Sequence, residues 1–144
     1  MIKKILYLIV VNVLLQSCNN TSPSEPTDEI EGEYMFKYPS GQIEILSIKN
    51  RPRTYEQFFY ASEKDLVNKN APLYENKNTW VVFGSELEFH DWLSICYLGR
   101  FTDSILTKPE RGQMGNVHWY KTTKNKKARI DMAYEEGYIL RKSK

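Results

Sequence analysis

The sequence predicts an all-β fold, an antiparallel meander of about eight short strands that closes, or nearly closes, into a barrel. Three observations carry this. Apolar and polar residues alternate with a period of two in run after run, and the runs are separated by Gly, Pro and Asn. Aromatic residues make up 13% of the 144-residue chain, ten of them Tyr, and such rings favour a pleated, half-buried surface. No segment sustains a helical period for more than about two turns, and no internal repeat is present.

The first strand is Glu33–Tyr38, with Tyr34, Phe36 and Tyr38 on one face and Glu33 and Lys37 on the other. Pro39-Ser40-Gly41 is a turn, because Pro fixes φ and Gly accepts a positive one. Gln42–Ile48 returns, Lys49-Asn50-Arg51-Pro52 interrupts, and Thr54–Ala61 is a third strand rich in aromatics. Ser62–Lys77 lacks a pattern apart from a helical turn around Glu63–Val67. Thr79–Phe83 and Glu86–His90 flank Gly84-Ser85, a Gly-first two-residue loop of the type II′ kind. The apolar stretch from Trp92 to Leu98 is compatible with strand or helix, and Ser104–Leu106 is a short strand. Lys108–Gly115 reads as a Pro/Gly loop, Asn116–Thr122 as a strand. Arg129–Tyr134 alternates, turns at Glu135-Glu136-Gly137 and returns as Tyr138–Arg141.

Gly32-x-Tyr34 at the first strand, with Trp80, Gly84, Leu87, Phe89 and Trp92 around the central hairpin, resembles the small lipocalin-like barrels of bacterial lipoproteins. The resemblance covers Gly32 to Lys142. It implies a single β-barrel domain over residues 32–144, in contact with its ligand or partner through the barrel interior or through an exposed aromatic face.

The N-terminus carries a separate signal. Met1-Ile2-Lys3-Lys4 is a short positive start, and Ile5 to Leu15 is apolar apart from Asn12. As a helix this run spans about 16 Å, half the hydrocarbon core of a bilayer, which suits a signal peptide rather than a membrane span. Leu15-Gln16-Ser17-Cys18 then resembles the lipobox of bacterial lipoproteins, with Gln16 the one departure from the commonest residues. The resemblance implies that residues 1–17 are removed and Cys18 is acylated. With Asn19 rather than Asp after the cysteine, it also implies an outer-membrane destination. Residues 18–31 are polar and acidic with two prolines, and read as a lipidated cysteine followed by a flexible tether.

Losing the leader removes Lys3 and Lys4 and leaves 18 basic against 18 acidic residues, a balance that makes the chain a poor candidate for general nucleic-acid binding, and no nucleic-acid partner is expected. Acylation of Cys18 would leave Cys96 as the single free thiol of the mature chain, so no internal disulfide is expected. Cys96 lies in an apolar run, where a buried, inert thiol is expected.

Residues with chemical potential are few. No nucleophile elbow, phosphate loop or metalloprotease histidine pair is present, and no pattern calls for a cofactor. Glu86, Glu88 and His90 share one strand face at spacing two, a weak set of candidate metal ligands should His118 approach them. Tyr34, Phe36, Trp80, Trp92 and Trp119 are candidate ligand or interface contacts, since such side chains suit pockets and interfaces as well as cores. Lys121, Lys124, Lys126, Lys127 and Arg129 form a basic hairpin tip, suited to an anionic surface or simply to solvent.

These readings favour a lipid-anchored, non-catalytic binding or interaction module of the bacterial envelope. Its partners are the membrane, through the anchor, and an envelope protein or small apolar ligand. A structural envelope lipoprotein without a specific ligand is the alternative. A hydrolase built on a histidine and a carboxylate stands third, because it requires both groups in one cleft.

Overall fold

The computed structural model describes residues 23–94, 110–133 and 137–143. They form eight strands: β1 (Gly32–Lys37), β2 (Ile43–Asn50), β3 (Arg53–Tyr60), β4 (Tyr74–Phe83), β5 (Glu86–Ser94), β6 (Glu110–Tyr120), β7 (Arg129–Ala133) and β8 (Tyr138–Lys142). A short helix, α1 (Glu63–Val67), joins β3 to β4, with the Ser62 hydroxyl accepting from Asp65 N as its N-cap. Every strand pairs antiparallel with the next, and β8 returns to β1 through Tyr34 opposite Lys142 and Met35 opposite Arg141. The barrel is closed, so among the described residues no edge strand remains to be protected.

Alternation explains which side chains fill it. Tyr34 on β1 faces Leu46 on β2, Ile48 faces Tyr55 on β3, Trp80 faces Phe89 on β5, and Leu87 faces Val117 on β6. Trp119, Ile130 and Leu140 continue the same inner face across β6, β7 and β8. All of these are buried. The aromatic rings meet edge-on or tilted, with Phe89 centred 5.2 Å from Tyr55 and 5.0 Å from Trp92. A smaller group of Tyr38, Phe59 and Leu93 packs near the opposite end, with Phe36 and Tyr74 against it.

Two connections follow from local chemistry. At the β4–β5 hairpin Gly84 takes φ +62° while Ser85 stays out of the positive region, the φ pattern of the expected type II′ turn. The β2–β3 hairpin tightens to Arg51-Pro52, because pairing continues to Asn50 opposite Arg53.

Several boundaries differ from expectation. β4 starts at Tyr74 inside the segment read as unpatterned, since Asn76 and Asn78 break the apolar alternation yet pair with Gln57 and Tyr55. β6 starts at Glu110, within the expected Pro/Gly loop Lys108–Gly115, because ladder bonds to Trp92, Leu93 and Ser94 hold whatever the side chains are. The run after Trp92 is strand as far as Ser94. Residues 1–22, the rest of that run with Cys96, Ser104–Leu106, and Tyr134 to Glu136 lie outside the described residues.

The expected tether over residues 18–31 is corrected over its last part. Asp28–Ile30 form a 3-10 turn, with the Thr27 hydroxyl accepting from Glu29 N, and Ile30 is fully buried in the core. Ile30 enters the barrel mouth as a stopper. Its carbonyl accepts from Tyr34 Oη at 2.8 Å, and Tyr34 Oη accepts in turn from Trp119 Nε1 at 3.2 Å. Outside the mouth, Glu31 Oε1 accepts from Asn50 N and Asp28 Oδ1 from Asn50 Nδ2. One apolar side chain in an acidic segment is thus enough to seat it. Ile30→Ala should therefore lower stability by about 2–3 kcal/mol, read as a shift in the urea midpoint at unchanged slope.

Candidate functional site

The strand alternation that buries Leu46 and Ile48 on β2 also turns Glu44 inward, and the one that buries Tyr55 and Phe59 on β3 turns Gln57 inward. Both are fully buried. Glu44 Oε2 accepts from Tyr38 Oη at 2.6 Å and from Tyr138 Oη at 2.5 Å, while Oε1 accepts from Gln57 Nε2 at 3.0 Å. Burial pushes the Glu44 carboxyl above its ordinary value, against the pull of these three donors. Burial, then the neighbouring carboxylate, hold the Tyr38 phenol protonated far into the alkaline range.

The network continues outward. Gln57 Oε1 accepts from Leu93 N and from Asn76 Nδ2, each at 3.1 Å. Asn76 Nδ2 also lies 2.7 Å from the Asp91 carbonyl and 3.1 Å from Tyr55 Oη, which itself donates to the His90 carbonyl. Asn76 Oδ1 accepts from Arg111 at 2.9 Å, and the same guanidinium nitrogen lies 2.6 Å from Asp91 Oδ2. Asp91 stands at φ +50° where the β5–β6 register shifts, a bulge that turns its carboxylate toward Arg111. The network thus runs from a sealed carboxyl to an exposed ion pair.

That ion pair borders a surface concavity of about 480 Å³, lined by Glu56, Phe58, Glu75, Asn76, Lys77, Asp91 and Arg111. Its charges are mixed, with Lys77 paired to Glu56 and Arg111 to Asp91. No histidine, cysteine or hydroxyl side chain is among the lining residues. The hollow can receive a polar group by hydrogen bonding and charge, with one aromatic wall at Phe58. Glu44 is separated from it by Gln57 and Asn76 and has no exposure to the hollow.

The candidate contact aromatics occupy the barrel instead of its surface. Tyr34, Trp80, Trp92 and Trp119 are buried, and Phe36 is half-buried with its ring 4.8 Å from Tyr38 and 5.0 Å from Tyr138. Each lies on the inner face of its strand, where a ring of this size is core. Trp80 Nε1 donates to the Lys49 carbonyl at 2.9 Å, whereas Trp92 Nε1 has no hydrogen-bond partner among the described residues.

The metal candidates do not converge. Glu88 and His90 approach to 3.5 Å on the outer face of β5, with His90 Nδ1 3.1 Å from Thr79 Oγ1, while Glu86 sits at the hairpin opposite His118. His90 is four strand residues from that pair, about 13 Å, too far to share one ion with His118. Among the described residues no group of three or more histidine, cysteine or acidic side chains is placed to hold a metal.

The basic tip divides. Lys121, Lys124, Lys126 and Lys127 are exposed on the β6–β7 connection, where Thr123 and Lys126 exchange backbone hydrogen bonds. Arg129 leaves the patch: its guanidinium lies 4.2 Å over the Tyr120 ring and bonds to Asp131 at 2.9 Å. Cys18 lies outside the described residues.

Glu44, Gln57, Asn76, Asp91 and Arg111 escaped the sequence reading. A signal for the first two was available, since a polar residue at an inward position of an otherwise apolar strand face demands a partner. Arg111 and Asp91 offered none, because a bulge and a long-range ion pair leave no mark on local spacing.

A closed, aromatic-filled eight-stranded barrel with a mixed-charge hollow on its flank is thus the class that fold and site define. No protein-family model matches the chain, and none of the curated proteins or solved structures compared with it is similar to it.

Proposed function

We propose that the chain is a lipid-anchored, non-catalytic binding or interaction module of the bacterial cell envelope, tied to the outer membrane through acylated Cys18. The observation that carries this reading is the order of Lys3-Lys4, the apolar run Ile5 to Leu15, and Ser17-Cys18. The non-catalytic part is supported by the position of the Glu88–His90 pair on the outer face of β5, outside the hollow, and by the burial of Glu44. The candidate contact aromatics Tyr34, Phe36, Trp80, Trp92 and Trp119 belong to the core, so contact with an envelope protein falls to the hollow beside Arg111 and Asp91 rather than to a face built from them. Its ion pairs and half-buried Phe58 suit a polar side chain or a peptide segment better than an apolar small molecule.

Mass spectrometry of the full chain expressed in a bacterium that processes lipoproteins tests the anchor. The expected N-terminal peptide begins at residue 18 and carries acyl mass, and Cys18→Ala abolishes both. A retained leader, or an unmodified thiol at residue 18, would sink the reading.

A further inference from the structure

Among the described residues the N-terminal segment is tied to the barrel at Ser24, whose N–H donates to the Trp119 carbonyl at 2.8 Å and whose hydroxyl accepts from Lys121 N at 3.5 Å. Ser24 therefore sits at the root of the β6–β7 connection. Six residues of chain reach at most about 20 Å, so an anchor at Cys18 keeps this end of the barrel within that distance of the lipid. The same end presents Lys121, Lys124, Lys126 and Lys127, all exposed, with no acidic residue between Lys121 and Ala128. On the entering segment Asp28 is engaged by Arg51 and Asn50 and Glu31 by Asn50, whereas Glu25 and Glu29 are exposed, as is Glu86 opposite Phe83, so the lysines must outweigh these acids.

An apolar side chain completes the surface. Phe83, at the β4–β5 hairpin, is 62% exposed and presents its ring to solvent. It pairs with Glu86, which pairs with His118 on β6, so it lies about two strand spacings, roughly 10 Å, from the strand that leads into the lysines. The chain's entry point, the lysines and Phe83 thus share one end of the barrel.

We propose that this end docks on an anionic lipid surface, the four lysines resting on headgroups and the Phe83 ring entering the interface. The proposal rests on the lipid-anchored reading and adds an orientation to it. Docking fixes the barrel mouth and the Ile30 stopper toward the membrane, with α1 and the Glu44 end facing away. It reduces the freedom that the short linker alone would leave, and it weakens with salt, as headgroup attraction does.

The three tryptophans are at most 2% exposed, so a reporter at position 83 reads cleanly. The full chain carrying Phe83→Trp, purified from bacterial membranes, is reconstituted into vesicles of phosphatidylcholine alone or with phosphatidylglycerol. Brominated lipids then quench any indole that enters the interface. Fluorescence of the Phe83→Trp chain is expected to be quenched in the anionic vesicles. It should return to the level of the unsubstituted chain in neutral vesicles, in high salt, or when Lys121, Lys124, Lys126 and Lys127 are all changed to Gln. The docked fraction should fall about tenfold or more on that change.

A chain that floats with the vesicles but shows no added quenching overturns docking and leaves the anchor standing. Equal quenching in neutral vesicles, or indifference to the four lysines, overturns the role assigned to charge, and an acidic protein partner then becomes the better occupant. A chain that does not float, and whose Cys18 carries no acyl group, overturns the anchored reading and docking with it. All five substitutions fall on exposed residues, and unchanged unfolding midpoints would confirm that the fold is held constant.

Discussion

Glu44→Ala is expected to destabilise the chain by about 3–4 kcal/mol, measured by urea unfolding near neutral pH. The substitution removes the acceptor for three buried donors, the hydroxyls of Tyr38 and Tyr138 and the amide of Gln57. It also opens a cavity beside the aromatic cluster of Phe36, Tyr38 and Tyr138. Relief from burying a carboxylate offsets part of this, which keeps the figure below that for stranding a buried charge.

Glu44→Gln separates the two effects. It keeps the shape and an oxygen for Gln57, and the phenols can accept from its amide, so at acid pH it should match the parent within about 1 kcal/mol. Burial raises the Glu44 carboxyl above its ordinary value of 4.5, so the folded parent keeps this proton more tightly than the unfolded chain does. The resulting stability is complete below that ordinary value and is lost as pH climbs through the raised one. Each tenfold difference in proton affinity between the folded and unfolded chain is worth about 1.4 kcal/mol. Glu44→Gln carries no such dependence. Its advantage over the parent should therefore grow as pH rises above the ordinary carboxyl value of 4.5, and a parallel pair of stability curves would rule this account out.

The contrast between Glu44 and Leu46 shows what local reading can reach. Alternation places both on one strand face, and the closed barrel makes that face the inner one. The strands with apolar alternation, β1, β2, β3, β7, β8 and the first half of β5, were legible for that reason. β4 and β6 were legible only in their second halves, since Asn76, Asn78 and the Gly112–Gly115 stretch enter the sheet through backbone pairing with neighbours far along the chain. The site was less legible than the fold. Asp91 and Arg111 are 20 residues apart and meet because a bulge turns one strand against the next. Ile30 is hidden for another reason: a single isoleucine in an acidic stretch has no period, yet a barrel mouth supplies its partners. Aromatic residues are the reverse case, legible as important but ambiguous between contact and core until closure of the barrel fixes their direction.

Trp119→Ala is the substitution that decides between those two roles. As core, Trp119 fills the barrel interior behind the Ile30 stopper, and its loss should cost about 3–5 kcal/mol through cavity formation alone. Its effect should also spread to the N-terminus, because the indole donates to Tyr34 Oη, which donates to the Ile30 carbonyl, while the Trp119 carbonyl accepts from Ser24. Removing the indole leaves the Tyr34 hydroxyl short of one donor and loosens the wall against which Ile30 rests. Limited proteolysis between Pro23 and Glu31 should accelerate in Trp119→Ala more than global destabilisation explains, judged against a variant of equal stability loss at the far end, such as Glu44→Ala. Trp119→Phe keeps most of the volume, loses only the hydrogen bond and should cost about 1–2 kcal/mol. Were Trp119 a surface contact, the alanine variant would fold as well as the parent and the segment would be cut at the parent's rate. The seating of the stopper therefore depends on the same residue that fills the barrel, and any role for this end at a membrane depends on that seating.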